Sequence, residues 1–310
     1  MSLRKSLAIA LSAATLFALA GCGTTDESDS SASTSKDTKS SSSATYDASG
    51  IKKDEKIAAM LPDSITKDGK LTVGAELTYA PAEFVGEDGK TAQGYDVDLT
   101  KALAAVFGLE PETVSSSFDS IIPAVGTKYD LGISGFTVND ERLGAVNMVN
   151  YGKAGMTYAV QKGNPKKIDV TNLCGVKIAA QTGTVEEESA KKTAEKCEKD
   201  GKDKTEVQSF DQQTSAATAV VTGKADVFYA DTPITGYAIK QTNGQLETLG
   251  EDAEVSPLGI AVSKDDEQTT KAVQAALQKL MDDGEYKKIF EGWGADGVMI
   301  DDPKINSATV

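Results

Sequence analysis

The chain has no histidine and only three cysteines among its 310 residues. Without histidine it has no Ser-His-Asp or Cys-His nucleophile pair and no zinc site built on imidazole. Positive charge is also scarce, because 32 Lys and Arg stand against 47 Asp and Glu, giving a formal net charge of -15. Nucleic-acid binding depends on Lys and Arg that neutralise phosphates. We therefore predict a protein that is not an enzyme, uses no metal or cofactor, and has no nucleic-acid partner.

Long apolar runs are missing too, apart from one at the amino terminus. Residues 7–19 are mostly apolar and follow Arg4 and Lys5, but this run is too short for a comfortable membrane span. It ends in a stretch that resembles a bacterial lipobox, Leu19-Ala20-Gly21-Cys22. The resemblance implies a lipoprotein signal peptide at 1–21 and a lipid anchor, with palmitate, on Cys22 at the extracytoplasmic face of the cell membrane. The alternative is an ordinary secretory peptide followed by a chance cysteine.

The segment after Cys22 has too few apolar residues to fold. Residues 24–50 contain 15 Ser or Thr and show no helical period, so they cannot bury enough apolar surface to form a core. As a flexible coil this stretch would span about 30 Å. We predict that residues 22–68 form the lipid anchor and a disordered tether with a short helix.

Two cysteines are left for the folded part, Cys174 and Cys197. Disulfides form and persist in the oxidising space outside the cytoplasm. For an exported protein we therefore predict a bridge between these two residues, worth about 3 kcal/mol in the chain-entropy model. The alternative is a pair of buried free thiols.

From about residue 70 onward, short apolar strands alternate with amphipathic helices. Strands are predicted at 70–76, 129–135, 175–180 and 225–230, and apolar residues at helical spacing follow in the intervals and near the carboxyl end. This alternation predicts an α/β fold with mostly parallel sheets covered by helices. Ligands of such sheets bind at the carboxyl ends of the strands. Polar residues lie at these ends in both halves of the chain, which predicts two lobes facing one cleft.

Six stretches in this order resemble the amino-acid-binding extracellular solute-binding proteins (family 3) of polar-amino-acid ABC importers, over about residues 69–295. They are "LTVGAELTYAPAEF" (71–84), "GYDVDLTKALA" (94–104), "FDSIIPAVGTKYDLGISGFTVNDER" (118–142), "GVKIAAQTGT" (175–184), "GKADVFYAD" (223–231) and "DGEYKKIFEGWG" (283–294). The resemblance implies a two-lobed, type II periplasmic-binding-protein-like fold with a ligand cleft between the lobes. It places lobe 1 at 69–154 plus 255–310 and lobe 2 at 155–254.

The resemblance implies that the α-carboxylate of an amino acid is held around the turn at 134–142. Arg142 has a planar fork that matches a carboxylate bidentately. Ser134 and Thr137 offer hydroxyls, and Gly135 allows a close approach to the backbone. Asn139 is a good N-cap for a helix with Arg142 in its first turn. The alternative for Arg142 is a solvated surface position.

Two further residues match the family on the other half of the chain. The resemblance places Thr184 near the α-carboxylate, at a turn whose helix amides favour an anion. The alternative is that Thr184 and Glu187 form a capping box. Asp231 matches the ammonium-binding aspartate of the family, and its alternative is a lone turn-forming residue.

The side chain of the ligand is assigned to three residues near the start of the folded part. Tyr79 and Phe118 match positions that sandwich it in the family, although both are equally understandable as core aromatics. Glu76 matches a position that is acidic in receptors for basic amino acids. On this hypothesis Glu76 pairs with the head group of a Lys, Arg or ornithine ligand. The alternatives are that it pairs with a protein lysine or points to solvent.

These features together predict a monomeric substrate-binding component of an amino-acid ABC transporter. It would capture a free polar amino acid by its α-carboxylate and α-ammonium and deliver it to the permease and ATPase subunits. Two alternatives use the same fold. One is an enzyme such as a dehydratase, with Glu76 as a carboxylate acid or base, and the other is an amino-acid sensor or adhesin.

Overall fold

The computed structural model describes residues 46–310. The predicted signal peptide, Cys22 and most of the predicted tether lie outside these residues. Within 46–310 the chain forms eleven strands and ten α-helices. The strands are β1 (Lys70–Ala75), β2 (Thr78–Tyr79), β3 (Glu83–Val85), β4 (Ala92–Gln93), β5 (Glu110–Ser115), β6 (Leu131–Gly132), β7 (Val146–Gln161), β8 (Lys177–Gln181), β9 (Glu206–Phe210), β10 (Val227–Asp231) and β11 (Leu246–Ser263).

The helices alternate with these strands along the chain. They are α1 (Glu55–Ala58), α2 (Asp63–Thr66), α3 (Tyr95–Phe107), α4 (Phe118–Ala124), α5 (Asp140–Ala145), α6 (Val185–Lys199), α7 (Gln213–Val221), α8 (Thr232–Gln241), α9 (Glu267–Asp282) and α10 (Glu285–Gly292). No helix within 46–310 is long and apolar enough to cross a bilayer.

Eight strands form one mixed sheet in the order β5-β1-β6-β11-β7-β10-β8-β9. The outer strands are parallel within each half, β5-β1-β6 on one side and β10-β8-β9 on the other. The two central strands are antiparallel to each other and to their neighbours. The expectation of mostly parallel sheets is therefore correct for each half and wrong for the middle. A separate antiparallel sheet of β2, β3 and β4, which the sequence did not predict, covers residues 78–93.

The two central strands, β7 and β11, connect the halves of the sheet. They are 16 and 18 residues long, and nearly every residue of β7 is buried. Their pairing shifts register between Leu249 and Ala253 and again between Ala253 and Ser256. The lobe boundaries predicted at 154/155 and 254/255 fall inside these strands. We call the half with β5, β1 and β6 the first lobe and the half with β10, β8 and β9 the second lobe.

Helix α3 anchors the core of the first lobe. It begins at Tyr95 and ends at Phe107. Leu99 and Leu103 are fully buried, and Tyr95 packs against Phe290 of α10 with ring centroids 5.2 Å apart. Helix α10 near the carboxyl end therefore packs on the first lobe.

The packed structure begins earlier in the chain than the tether prediction states. Leu61 and Ile65 are buried in the core of the first lobe, and Ile57 packs against it. The hydroxyl of Tyr46 donates a hydrogen bond of 2.8 Å to Glu285 on α10. Residues 46–68 are thus part of the folded domain and not tether. The tether prediction rested on the Ser/Thr count over 24–50 and did not take into account the apolar residues that follow this stretch.

Cys174 and Cys197 are joined by a disulfide, with their Cα atoms 5.5 Å apart. The bridge links the last turns of α6 to the loop before β8. It lies within the second lobe and away from the carboxyl ends of its strands.

We expect the double substitution Cys174→Ser with Cys197→Ser to lower the free energy of unfolding by about 3 kcal/mol, since the unfolded chain regains the entropy of the open loop. Urea denaturation measures this change, and mass spectrometry of the non-reduced protein checks the bridge itself. A free thiol at either position in the mature protein would contradict the assignment.

Candidate functional site

The predicted site residues from the two lobes meet at the carboxyl ends of their strands. Glu76 directly follows β1, the turn at 134–137 follows β6, and Gly183 follows β8. Asp231 is the last residue of β10. Three hydrogen bonds cross the cleft: Tyr79 to Asp231 (2.9 Å), Arg142 to the Gly183 carbonyl (3.2 Å), and the Gln213 amide to the Thr78 hydroxyl (3.0 Å). The cleft is therefore closed in this structure.

Arg142 lies in the first turn of α5, as predicted. Asn139 caps this helix, because its side-chain oxygen accepts a 2.9 Å hydrogen bond from the Arg142 amide. The guanidinium donates to the Thr137 carbonyl at 2.8 Å. It also lies 5.4 and 5.5 Å from the ring centres of Phe118 and Phe136, within the range of cation–π attraction. The helix cap, the carbonyl and the two rings fix one positive fork at the cleft.

Asp231 provides the complementary negative charge from the second lobe. It is 5% exposed, and the Tyr79 hydroxyl donates to its Oδ2. Burial raises its pKa to about 6, while the hydrogen bond from Tyr79 and the charge of Arg142 favour the ionised form. The carboxyl group of Asp231 and the guanidinium of Arg142 thus face each other across the cleft.

Glu186 is a functional candidate that sequence reasoning did not single out. It follows Thr184 in the first turn of α6, is 3% exposed, and has one buried carboxyl oxygen without a partner. Its carboxyl lies within hydrogen-bonding reach of Asp231. Burial and the nearby charge of Asp231 raise its pKa to about 8. Near pH 7 the Glu186–Asp231 pair therefore holds about one proton.

Glu76 lies at the other end of the cleft and is 5% exposed. It accepts hydrogen bonds from the amide and the hydroxyl of Thr78, and Gln181 is within reach of the same carboxyl. Burial raises the pKa of Glu76, while the bonds from Gln181 and Thr78 lower it. No protein lysine pairs with Glu76 among residues 46–310.

Two glutamines around Glu76 carry buried side-chain oxygens without partners. Gln181 uses its Nε2 on the Asp211 carbonyl, and its Oε1 is unpaired. The Oε1 of Gln213 is unpaired as well. Buried polar atoms usually have partners, and these two amide oxygens have none, whereas Glu76 has donors from Thr78 but no cation. The Gln213 amide donates to the Thr78 hydroxyl, which places Gln213 next to this group. We call Glu76, Gln181 and Gln213 the acceptor end of the cleft.

The hydroxyl of Ser134 is directed into the protein. It donates to Glu83 at 2.6 Å and accepts from the Glu76 amide at 3.0 Å, and Ser134 is fully buried. Thr137 contributes its carbonyl to Arg142. The Ser134 hydroxyl that the sequence offered to a ligand is thus occupied by protein groups, and Thr137 contacts Arg142 through its carbonyl.

Gly135 and Gly183 are needed at the two edges of the closed cleft. Both have a positive φ, +58° and +81°, a conformation that favours glycine. A Cβ atom on Gly135 would lie 3.0 Å from the Tyr79 ring, and one on Gly183 would lie 3.0 Å from Asp119 of the first lobe. A side chain at Gly183 would therefore hold the lobes apart.

Thr184 caps helix α6. Its hydroxyl accepts from the Glu187 amide at 3.1 Å and donates to the Gln181 carbonyl at 2.8 Å. The Glu187 carboxylate in turn accepts from the Gly183 amide at 3.0 Å. This arrangement supports the capping alternative for Thr184 and occupies one of the amides expected to face an anion.

Phe118 and Tyr79 line the cleft on the first lobe. Phe118 begins α4 and packs against Phe136 with ring centroids 4.8 Å apart. Tyr79 is 5% exposed and extends across the cleft to the second lobe. Both rings thus serve the core and the cleft at once.

A family model described as bacterial extracellular solute-binding proteins, family 3, matches residues 71–296. The chain belongs to this family. The predicted membership is therefore confirmed, and so is the predicted role in binding a solute outside the cell.

Three comparisons show what this solute-binding protein is similar to. It is 35% identical over 253 residues to the arginine-binding protein ArgT of Corynebacterium glutamicum, covering 81% of this chain and 82% of that protein. It is 29% identical over 240 residues to the L-cystine-binding protein TcyJ of Escherichia coli K12, covering 76% and 87%. The crystal structure of an ancestral amino acid-binding protein, a precursor of cyclohexadienyl dehydratase, matches with a TM-score of 0.67 at 33% identity, covering 74% and 98%. The predicted two-lobed fold with a cleft between the lobes is thus confirmed.

Glu186 should make the stability of the ligand-free solute-binding protein depend on pH. The folded protein keeps its proton up to about pH 8, whereas the unfolded chain loses it near its ordinary pKa of 4.5. Stability is therefore lost as the pH rises through this window. We expect Glu186→Gln to melt like the wild type at pH 4 and several degrees higher at pH 8, by calorimetry.

The exposed Glu188 on the same helix provides the matched control. Glu188→Gln should leave the melting temperature within about one degree of the wild type at both pH values, because exposed ion pairs contribute little. An equal effect of Glu186→Gln at pH 4 and pH 8 would show that Glu186 does not hold the proton.

Proposed function

We propose that this protein captures a free amino acid with a cationic side chain, arginine fitting best, and delivers it to a membrane permease with its ATPase. The observation that carries this proposal is the acceptor end of the cleft, where one carboxylate and two amide oxygens are buried without enough donors. The name of the relative ArgT agrees with it.

The α-groups of the ligand would bind at the other end of the cleft. Arg142 pairs with the α-carboxylate, which would replace the Gly183 carbonyl as acceptor. Asp231 pairs with the α-ammonium, and this added positive charge would release the proton that Asp231 shares with Glu186. Holding a zwitterion away from water requires one opposite charge for each of its groups, and the cleft contains both.

The side-chain head group then meets Glu76, Gln181 and Gln213. A guanidinium has five N–H donors in a plane, enough to satisfy the carboxylate and both amide oxygens. A lysine or ornithine ammonium has three donors. Glutamine would leave the buried charge of Glu76 without a cation, which is costly. The far half of cystine is a zwitterion with no net charge, so its ammonium could face Glu76 but its carboxylate would lie beside the same acceptors and be repelled.

Net charge supports a cationic ligand independently of geometry. Glu76 and the Glu186–Asp231 pair, which keeps about one proton, together carry about two negative charges near pH 7, and Arg142 carries one positive charge. An amino acid with a cationic side chain adds one positive charge, whereas one with a neutral side chain adds none. Attraction between buried charges is weakly screened, so this difference is retained at physiological salt.

Ligand binding would close the protein by bridging its lobes. Lobe 1 (69–154 plus 255–310) supplies Arg142 and Glu76, and lobe 2 (155–254) supplies Asp231 and Gln181. A ligand that contacts both lobes stabilises the closed form by its differential affinity, and β7 with β11 are the strands about which the lobes would turn. We propose a monomer, attached to the extracytoplasmic face of the cell membrane through a lipid on Cys22.

We propose binding without catalysis, although one structural relative is a precursor of a dehydratase. Glu76, the carboxyl that the enzyme alternative would use, accepts hydrogen bonds from Thr78, and Glu186 is paired with Asp231, the proposed ammonium partner. Incubation of candidate amino acids with the protein, followed by NMR of the ligand, should return each one unchanged.

Titration calorimetry with the twenty amino acids, ornithine, citrulline and cystine tests the proposed ligand. We expect arginine to bind tightest, ahead of lysine and ornithine. Citrulline is the matched control, because it has the shape of arginine without the charge, and it should bind at least about 100-fold more weakly. No binding across this set would refute the proposed function, and tighter binding of glutamine or cystine would refute its cationic specificity.

Single substitutions separate the two ends of the cleft. Arg142→Ala and Asp231→Ala should each weaken arginine binding by about 100-fold or more, since each leaves a buried ligand charge unpaired, with melting nearly unchanged. Glu76→Gln should weaken arginine binding and leave citrulline binding nearly as it was. Glu112→Gln, at an exposed ion pair with Lys70, is the control and should change neither affinity.

A further inference from the structure

Two carboxyl groups lie behind the turn that leads to Arg142, and neither belongs to the proposed ligand contacts. Glu83 begins β3 and Asp96 lies in the first turn of α3, and both are at most 1% exposed. Ser134 donates its hydroxyl to Oε1 of Glu83 at 2.6 Å. The Gly135 amide donates to Oδ2 of Asp96 at 3.0 Å. The two consecutive residues of the turn are thus held by two different carboxyls.

The second oxygen of each carboxyl has no other partner. Oε2 of Glu83 and Oδ1 of Asp96 are buried and accept no hydrogen bond, and the two carboxyls lie within hydrogen-bonding reach of each other. Two buried carboxylates in contact repel strongly unless a proton lies between them. One shared proton gives both orphaned oxygens a partner.

The surroundings of the pair supply no compensating base. The titratable groups that face it from the neighbouring elements are Glu76, Tyr95, Tyr151 and Asp231. All four are acidic or phenolic, and burial raises the pKa of both Glu83 and Asp96.

The hydrogen-bond pattern shows which carboxyl carries the proton. Asp96 accepts two donors on Oδ2, the Gly135 amide and the Tyr151 hydroxyl at 2.8 Å. Two donors stabilise a negative charge. Glu83 accepts one donor, from Ser134, so its Oε2 would hold a shared proton and donate a hydrogen bond to Asp96.

The turn at 134–137 lies between this pair and the cleft, and its residues contact the side chains proposed to bind the ligand. Ser134 accepts the amide of Glu76, Gly135 lies against the Tyr79 ring, and the Thr137 carbonyl holds Arg142. A displacement of the turn would therefore move both ends of the ligand site together.

We propose that Glu83 and Asp96 share one proton and that this protonated pair positions the turn at 134–137, and through it Arg142, for ligand binding. Both are positioning residues that do not touch the ligand. The inference rests on the proposed function, because its readout is the affinity for arginine. It implies that deprotonation of the pair leaves two negative charges in contact and loosens the turn, so that affinity falls at alkaline pH.

The test compares the pH dependence of arginine binding by the wild type and by Glu83→Gln. Glutamine keeps an oxygen to accept from Ser134 and an N–H to donate to Asp96, so this variant imitates the protonated pair at every pH. At pH 6 we expect both proteins to bind arginine within about threefold of each other. Above the pH at which the pair loses its proton, the wild-type affinity should fall relative to the variant by up to about tenfold per pH unit.

The ratio of the two affinities reports on the Glu83–Asp96 pair alone. Glu186, Asp231 and the ligand's own ammonium titrate in both proteins, so their effects cancel in the ratio. Glu110→Gln, on the exposed part of β5, is the matched control and should follow the wild type at every pH. A ratio of wild type to Glu83→Gln that stays constant from pH 6 to pH 9.5 would overturn the inference while arginine binding itself stands. A wild type that binds no amino acid at any pH would overturn the proposed function instead.

A second measurement does not depend on how Glu83→Gln folds. The infrared spectrum of the ligand-free protein with Glu186→Gln, which removes the protonated carboxyl at the cleft, should contain at pH 7 the C=O stretch of a buried protonated carboxyl, and this band should disappear as the pH is raised to the alkaline limb of the binding curve. Adding Asp96→Asn should shift or remove the band, since the shared proton loses one of its two oxygens. Absence of such a band with that pH dependence in the protein with Glu186→Gln would refute the shared proton.

Discussion

The constraint on which this molecule depends is the burial of a set of carboxyl groups next to a single arginine. At most about 5% of each is exposed, and they lie on or behind the cleft: Glu76, Glu83, Asp96, Glu186 and Asp231. A charge in a low-dielectric interior needs a cation, a proton or several donors. Glu76 has donors from Thr78, and the other four form two pairs. The closed cleft is therefore short of positive charge in a way that a cationic ligand would correct.

The two pairs meet this constraint differently because of their positions. Glu186 lies at the start of helix α6 and Asp231 at the end of strand β10, where the proposed ligand ammonium would replace their proton. Glu83 and Asp96 lie behind the turn, where no ligand reaches, so their proton stays with the protein. One pair is thus suited to binding and the other to holding the backbone, although both consist of the same chemical groups.

The sequence was most informative where function depends on local pattern. Arg142 is recognisable because Asn139 is a good helix cap three residues earlier, and Asp231 because a carboxylate ends a buried strand. Glu186 was not recognisable, since it is one of three consecutive glutamates and only the phase of α6 decides which of them is buried. Glu83 and Asp96 were not recognisable either, because each has as its neighbour a carboxyl group from a different secondary-structure element.

The roles that the structure adds to the predicted residues have physical causes of the same kind. Ser134 looks like a ligand hydroxyl until the position of Glu83 is known, and Thr184 looks like an anion contact until Glu187 is placed beside it. The antiparallel middle of the sheet arises because β7 and β11 each serve both lobes, which the spacing of short apolar runs does not reveal. Side-chain partners far apart in the sequence decided each of these cases.

The seating of residues 46–66 on the first lobe has a mechanical consequence. Tyr46 is bonded to α10, and Leu61 and Ile65 are part of the first-lobe core, so a pull on the chain before Tyr46 would be borne by this lobe. The second lobe, which holds neither this segment nor the carboxyl-terminal helices, carries no such load. In the proposed closure the second lobe would therefore be the one that moves about β7 and β11, while the first lobe bears the load.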